Sequence, residues 1–196
     1  MTPLEIINSQ RPEELRSRSQ ESLEWFRQNL RSIRMSSGAI QETFRKSYQA
    51  KYASRVELGR IYMYMYDAKW KEKLPYWDRF PLVIPFRRAN RGFYGVNLHY
   101  IQPLHRALLM QEVYENFLSN DNFDDETLIR IRYATIMSVT RLKYARPCIK
   151  RYLTNHIDSR IIDVPIDQWD MVAMIPSQQF NVNANSVYKD SRAKYG

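Results

Sequence analysis

The chain has 196 residues, 44% of them hydrophobic, which suffices for one domain with an arm or for two small lobes. Its net charge of +9 favours acidic partners, namely nucleic acid, an anionic protein surface or a membrane face. A single cysteine, Cys148, excludes an internal disulfide framework, and no apolar run approaches the ~18–20 residues of a membrane-spanning helix.

The N-terminal region, residues 1–58, is predicted to form a helical arm. Hydrophobic residues recur at three-and-four spacing from Leu23 to Ile33, which is the pattern of an amphipathic helix. Three arginines form a different stripe of the same helix, also at helical spacing: Arg27, Arg31 and Arg34. Such a stripe is most often a solvated face, but it also suits contact with phosphate or with an acidic neighbour. A second helix is predicted over residues 39–58.

A small antiparallel sheet is predicted between residues 60 and 101. Tyrosine alternates with methionine or isoleucine over Ile61–Tyr66, which is the pattern of a strand with two different faces. The face that carries Met63 and Met65 is the better candidate for the core.

The strand over Leu82–Ile84 is predicted to be short or to lie at an edge, because prolines bracket it and proline cannot donate to the ladder. A turn over Arg87–Gly92 is predicted to follow. Phe93–Ile101 then returns as the partner strand, and Gly95 inside it indicates a bulge or a close backbone approach.

The C-terminal half is predicted to contain helices over residues 103–157 and strands over residues 160–176. Glu126–Ala145 is the longest of these helices, and Cys148–Ile157 resumes as a short one. Residues 177–196 form a polar tail, which we expect to be mobile or docked on a neighbour.

These elements predict an α+β fold with an arm over residues 1–58, a core domain over residues 59–176 and a tail over residues 177–196. The core is a small, roughly five-stranded SH3-like barrel or a curled antiparallel sheet, with an N-terminal helical arm and a helical insertion before the last strands. A barrel is economical because it removes exposed sheet edges.

Residues of catalytic type form no strong constellation, so we predict no enzyme activity, no metal and no cofactor. His99 and His105 lie near the predicted strand-to-helix corner, where a structural histidine is the more common role. Cys148 follows a proline in an apolar setting and is interpreted as a buried, inert thiol. Asp67 and Asp78 flank a loop rich in lysine and tryptophan; an acid/base pair or a metal site is one interpretation, and turn or ion-pair roles are the more common one.

A mixture of basic and aromatic residues gives the clearest functional pattern. Five basic residues are predicted to bind nucleic acid: Arg87, Arg88, Arg91, Lys150 and Arg151. Trp70 and Trp77, on the adjoining loop, are predicted to bind a partner, as are the three arm arginines. Tyr62, Tyr64 and Tyr66 either stack bases or pack under the helices.

Several segments resemble a family of small proteins of T4-like tailed phages. They are YMYDAKWKEKLPYWDRFPLVIPF, GFYGVNLHYIQPLHR, KYARPCIKRYLTNHIDSR and the closing Ser186–Ser191 stretch, of which DRFPLV and GVNLHY are the most specific. The resemblance implies a virion or head-completion protein, including the DNA-end protector type, and carries over no catalytic residue.

The chain is therefore expected to be a non-enzymatic virion structural protein that contacts DNA, in head completion, DNA-end protection or the head–tail channel. The alternative is a purely structural baseplate, hub or neck component that docks on acidic protein neighbours. Expected partners are other virion proteins and double-stranded DNA in a larger oligomeric assembly, with no membrane. The N-terminus lacks an apolar signal core, and the expected location is the virion, assembled in the host cytoplasm.

We predict that replacing Arg27, Arg31 and Arg34 together by alanine reduces incorporation of the chain into particles. Exposed ion pairs contribute only ~0–1 kcal/mol, so a surface partner is the expected use of these arginines. If that partner is duplex DNA, the log–log salt slope of DNA binding falls by ~2.7, at ~0.9 per lost contact. If it is protein, DNA affinity stays constant while incorporation falls. Normal behaviour in both assays would leave the stripe as a solvated face.

Overall fold

A computed structural model of the chain describes residues 42–43, 45–47, 49–102, 106, 143–165, 168–175 and 177–195. The predicted arm helix with its three arginines lies outside the described residues, as do His105 and residues 126–142 of the predicted long helix. The described residues form one antiparallel sheet with short helices packed against it, which is an α+β arrangement.

Within the described residues the sheet has six strands. They are β1 (Lys51–Ala53), β2 (Ile61–Met63), β3 (Leu82–Ala89), β4 (Gly92–Asn97), β5 (Ile149–Leu153) and β6 (Ile161–Val164). Their spatial order is β1-β6-β2-β3-β4-β5, and every neighbouring pair is antiparallel. Within the described residues β1 and β5 are the two ends, so the sheet is not closed and the predicted SH3-like barrel is not confirmed.

The central strands occur where the alternating pattern predicts them, and both faces of the sheet are covered. β2 pairs with β3, and β3 pairs with β4. Met63 and Met65 are buried, as predicted. Tyr62, Tyr64 and Tyr66 are buried as well, in a separate cluster. These tyrosines therefore fill an interior instead of forming an open platform for bases.

Two hydrophobic clusters hold the sheet. The larger one joins one face to helices α1 (Trp169–Met174) and α2 (Ala184–Tyr195), with Trp169 and Val187 fully buried in it. The indole of Trp169 also donates a hydrogen bond of 2.9 Å to the Val164 carbonyl at the end of β6. Each fully buried large apolar side chain contributes roughly 1.5–3 kcal/mol, so both clusters stabilise the sheet. None of the described helices is long and apolar enough to cross a membrane.

The prediction that residues 82–84 form a short or edge strand is wrong. β3 is eight residues long and lies between β2 and β4. Pro85 is tolerated there because the register shifts between Pro85 and Arg87, which interrupts the ladder beside the missing N–H.

The hairpin between β3 and β4 is tighter than predicted. β3 continues to Ala89, which pairs with Gly92, so the turn consists of Asn90 and Arg91 alone. The close approach predicted at Gly95 is confirmed: a Cβ at this residue would lie 2.3 Å from the Val83 side chain.

Three further predictions of secondary structure are wrong. The helix predicted over Cys148–Ile157 contains β5, which follows a 3₁₀-helix at Lys143–Cys148. The strand predicted over residues 171–175 is part of α1, because a continuous apolar run suits a buried helix as well as a buried strand. Lys51–Ala53, predicted to be helical, forms β1 on the edge of β6.

The polar C-terminal segment packs on the protein's own core. It forms α2, in which Val187 and Tyr188 are buried. The Tyr76 hydroxyl donates to the Asp190 carboxylate at 2.7 Å and ties α2 to the loop before β3. The described part of this segment is thus packed against the rest of the domain.

We predict that Gly92→Ala destabilises the protein. A Cβ at residue 92 would lie 1.8 Å from the Tyr152 carbonyl oxygen, a backbone atom of β5, so β4 and β5 would have to separate. We expect a loss of about 2–4 kcal/mol in the free energy of unfolding, measured by urea denaturation. Asn90→Ala, in the exposed turn next to it, is the control and should change stability by less than about 0.5 kcal/mol. An equally small loss for Gly92→Ala would contradict the predicted close contact.

Candidate nucleic-acid interface

The five predicted nucleic-acid-binding residues lie together at one end of the sheet, which we call the basic edge. It consists of Arg87 and Arg88 on β3, Arg91 in the turn, and Lys150 and Arg151 on β5. Arg87, Tyr94 and Arg151 are register partners across three strands, so they share one face. Two strand spacings separate the two arginines, or roughly 10 Å at the backbone.

Aromatic rings and backbone groups orient these cations. The Arg87 guanidinium carbon lies 4.3 Å from the centre of the Tyr94 ring. Lys150 Nζ lies 4.2 Å from the centre of the Tyr100 ring, and Arg151 Nη2 donates to the Asn90 carbonyl at 3.1 Å. Cation–π contacts of this kind contribute ~0.5–1 kcal/mol at exposed sites and leave the positive charge available to a ligand.

The exposed arginines of the basic edge have no acidic partner among the described residues. The ion pairs in this part of the chain engage none of Arg87, Arg88, Arg91 and Arg151. By contrast, Arg60 pairs with Asp163 at 2.7 Å on the other half of the sheet. The positive potential of the basic edge is therefore not neutralised from within the described structure.

Arg91 has a backbone conformation that arginine seldom adopts. Its φ is 59°, in the left-handed region, at the second position of the two-residue turn. Glycine and asparagine are the usual residues there, and another side chain costs roughly 1–2 kcal/mol. The backbone conformation therefore does not favour arginine at residue 91. The exposed guanidinium at the tip of the basic edge is available to a ligand, which is a functional reason for an arginine there.

A groove of about 660 Å³ lies beside the basic edge. The buried side chains in its lining include Tyr66, Tyr100 and Tyr152. Its more exposed lining combines the loop of Trp70 and Trp77 with three members of the basic edge, Arg91, Lys150 and Arg151. The groove therefore brings the two predicted partner-binding tryptophans together with three of the five predicted nucleic-acid-binding residues.

The described lining of the groove is positively charged. Its cations are Lys69, Arg91, Lys150 and Arg151. They face one carboxylate, Asp78, which is itself buried. Burial raises the pKa of Tyr66, of Tyr100 and of Tyr152, so these phenols stay neutral and add no negative charge.

A buried polar network adjoins the groove, with His99 at its centre. His99 Nδ1 lies 2.6 Å from Asp78 Oδ2, and Nε2 lies 3.1 Å from Ser177 Oγ. Asp78 also accepts hydrogen bonds from the backbone N–H groups of Phe80 and Gln179, at 3.1 and 3.0 Å. Burial lowers the pKa of His99, so the neutral ring donates from Nδ1 to Asp78 and accepts at Nε2 from Ser177. Burial alone would raise the pKa of Asp78, but His99 and the backbone donors hold it below its usual range.

Asp78, His99 and Ser177 follow one another in the order of a nucleophilic Asp–His–Ser triad. Unlike the residues of such a triad, they are not accessible to a substrate. His99 is fully buried and Ser177 is only 6% exposed, so a substrate cannot reach the Ser177 hydroxyl. The structure does not support Asp67 and Asp78 as an acid/base pair, because Asp67 forms an ion pair with Lys71 at 2.8 Å on the surface. The described residues contain no group of three His, Cys, Asp or Glu side chains that could hold a metal. Ion-pair and packing roles account for all of these residues.

The chain was compared with protein families, curated proteins and solved structures. Over residues 2–193 it matches the family model described as phage T4 terminal DNA protecting protein. The chain belongs to this family. No curated protein and no solved structure matches it. The family predicted from DRFPLV and GVNLHY is thereby confirmed, and the match includes the predicted arm over residues 1–58.

The segments that indicate the terminal DNA protecting family also build the buried network. DRFPLV supplies Asp78, and GVNLHY supplies Asn97 and His99. The Asn97 side chain donates to Asp78 at 3.3 Å and accepts from the backbone N–H of His99 at 3.0 Å. Residues of these two segments thus maintain the frame beside the groove.

Arg106 belongs to the same network and was not predicted from the sequence. Its side chain is fully buried, and Nε donates to the Ile101 carbonyl at 2.7 Å. Nη2 donates to the His99 carbonyl at 3.1 Å and to the Tyr188 hydroxyl at 3.0 Å. The available signal was an arginine in a segment rich in leucine and alanine after Pro103, which indicates a buried cation as readily as a solvated one.

Of the other residues singled out in the sequence, Cys148 is described by the structure and the three arm arginines are not. Cys148 is fully buried, and burial raises the pKa of its thiol to about 12, which supports the interpretation of an inert cysteine. The arm arginines, Arg27, Arg31 and Arg34, lie outside the described residues.

We predict that stability falls as the pH drops from 7 to 5, and that His99 contributes to this loss. Because its pKa is lowered in the folded protein, only the unfolded chain takes up a proton near the ordinary value of about 6.5. The free energy of unfolding then decreases by up to about 1.4 kcal/mol per pH unit, until the pH reaches the lower pKa of the folded state. Asp78, whose pKa is also lowered, adds a further loss below about pH 4.

The test compares the pH slope of urea denaturation between wild type and His99→Gln. The variant should be less stable at pH 7 and should show a shallower slope between pH 7 and 5. His156→Gln is the matched control, because this ring lines the groove and its Nδ1 contacts the Asp67 carbonyl at 2.9 Å. Equal slopes for wild type and His99→Gln would contradict the assignment.

Proposed function

We propose that this protein is a non-enzymatic virion protein that binds the ends of the phage's double-stranded DNA through the basic edge. The family description, terminal DNA protecting protein, supports this ligand. The observation that carries the proposal is the clustering of five cations on adjoining strands, with the four arginines free of ion pairs among the described residues.

The chemistry of the basic edge suits a phosphate backbone. A guanidinium presents five N–H donors in a planar fork and binds phosphate oxygens in pairs. Duplex DNA carries one negative charge per ~1.7 Å of its axis, so arginines roughly 10 Å apart at their backbones meet several phosphates. Contacts of this type supply affinity without reading sequence, as protection of any DNA end requires.

Protection by this route needs no catalysis. A protein that covers the terminal phosphates and the last base pairs blocks an exonuclease by occupying its substrate. The bound DNA end would place the protein at the head–tail channel of the virion, where head completion takes place. The arm arginines, Arg27, Arg31 and Arg34, are then available to neighbouring virion proteins in a larger assembly formed in the host cytoplasm.

A second candidate function is a purely structural neck, hub or baseplate component. Trp70 favours it, because this side chain is 57% exposed and tryptophan is a frequent anchor of protein interfaces. In that case acidic groups on a neighbouring protein, not phosphates, would meet the basic edge. The dependence of DNA binding on salt separates the two functions, because phosphate contacts release counterions.

We predict that replacing Arg87, Arg88 and Arg91 together by alanine weakens binding to linear duplex DNA and lowers its log–log salt slope by up to about 2.7, at ~0.9 per phosphate contact. The same variant should leave duplex ends open to exonuclease digestion. Binding over a salt series and digestion of end-labelled DNA measure the two effects.

The matched control removes the same charge from the opposite end of the sheet. Lys51, Arg55 and Arg160 are exposed on or beside β1 and β6, and their triple alanine variant should keep the wild-type slope and protection. Equal losses in both triple variants would mean that net charge, not the basic edge, drives binding. Unchanged DNA binding in the Arg87, Arg88 and Arg91 variant, together with reduced incorporation into particles, would favour the structural component.

A further inference from the structure

We infer that the groove holds an unpaired nucleotide at the end of the DNA, with its base stacked on Trp70. This inference rests on the proposed function, because the basic edge must hold the adjoining duplex. It adds a distinct ligand, a single-stranded terminal extension, and a distinct set of side chains.

Trp70 is exposed on a loop whose backbone is hydrogen-bonded. Its side chain is 57% exposed, the most exposed large hydrophobic side chain of the described residues. Its carbonyl accepts hydrogen bonds from the N–H groups of Lys73 and Leu74, at 2.9 and 3.0 Å. Because the backbone that carries the ring is already hydrogen-bonded, a base that stacks on Trp70 has to order only the side chain.

The loop that carries Trp70 is fixed at both ends. At one end Tyr66 bridges to Ile157, and at the other end Asp78 bridges to Phe180. The Asp67 N–H also donates to the His156 carbonyl at 3.0 Å. The position of the tryptophan relative to the groove is therefore set by the same strands and turns that build the groove.

Cations surround the ring where a stacked nucleotide would place its phosphates. Lys69 Nζ and Lys73 Nζ lie 5.1 and 5.2 Å from the centre of the Trp70 ring. These exposed cation–π contacts are weak, so either ammonium group can move to a phosphate when a base covers the ring. Arg91 and Arg151 belong both to the lining of the groove and to the basic edge. A DNA strand that passes from the bound duplex into the groove therefore stays next to positive charge along its sugar–phosphate backbone.

The size and chemistry of the groove favour an unpaired nucleotide over a duplex. About 660 Å³ lies within the range of small-molecule sites and is far too small for a double helix. Within a duplex both faces of a base are covered by its neighbours, whereas an unpaired terminal base offers a free face for stacking. Asn90, Asn155 and His156 also line the groove and bring donors and acceptors for base edges.

The experiment measures affinity for three DNAs of matched duplex sequence: a linear duplex with a short single-stranded overhang, a blunt linear duplex and a closed circular duplex. We expect wild-type protein to prefer the overhang. Trp70→Ala should lose between about 5-fold and 150-fold in affinity for the overhang, the usual effect of removing one stacking ring. Its affinity for the blunt and circular duplexes should stay constant, and so should the salt slope, because stacking releases no counterions.

Two further variants make the result specific. Trp70→Phe keeps an aromatic face and should retain most of the overhang preference. Val182→Ala, at another exposed hydrophobic residue that does not line the groove, should behave as wild type. Quenching of tryptophan fluorescence by the overhang should be reduced in Trp70→Ala and unchanged in Val182→Ala.

The outcomes separate this inference from the proposed function. Equal affinity of wild type for overhang and blunt ends, with no effect of Trp70→Ala, overturns the nucleotide site while duplex binding by the basic edge stands. Failure of wild type to bind any of the three DNAs overturns both. Normal DNA binding by Trp70→Ala together with reduced incorporation into particles would assign Trp70 to a protein neighbour and overturn the inference as well.

Discussion

Two buried charges of opposite sign, Asp78 and Arg106, hold the described structure together, and neutral His99 joins them. A charge in a protein interior is costly unless hydrogen bonds satisfy it. Here each charge is satisfied by several hydrogen bonds, to backbone groups and to side chains such as Tyr188. Those bonds join the loop before β3, the turn after β4 and the C-terminal segment, three parts of the chain that are distant in sequence.

This division of labour frees the basic edge for a ligand. The two hydrophobic clusters cover both sheet faces, and the buried network fixes the connections, so neither depends on Arg87, Arg91 or Arg151. Cations that repel one another reduce stability slightly, and the remainder of the fold offsets that cost. Within the described residues β5 is an end strand of the sheet. The positive charges of Lys150 and Arg151 disfavour pairing of this strand with another sheet before any ligand binds.

Local pattern predicted the strands wherever one physical rule dominated. The alternating segment Ile61–Tyr66 contains β2, and the segment rich in β-branched residues at Ile161–Val164 forms β6. Alternating or short β-branched segments have few other ways to be buried. The rule that proline marks an edge failed at Pro85, since a register shift removes the need for its N–H. Residues 149–153 became a strand because β4 offered an edge, a tertiary effect that no local window contains. Arg106 escaped prediction for a related reason: its partners are carbonyls at Ile101, Ala173 and Ile175, which only the fold brings together.

The burial of the sheet tyrosines decides what kind of nucleic-acid surface this can be. Sheets that read single strands on an open face expose aromatic residues there, but Tyr62, Tyr64 and Tyr66 fill an interior instead. Among the described residues the most exposed aromatic side chain is Trp70, on a loop, and the basic edge lies at one end of the sheet. A ligand must therefore approach an edge and a small groove, not a broad face. An edge of three strands contacts only a few phosphates, which suits the terminus of a DNA molecule better than binding along its length.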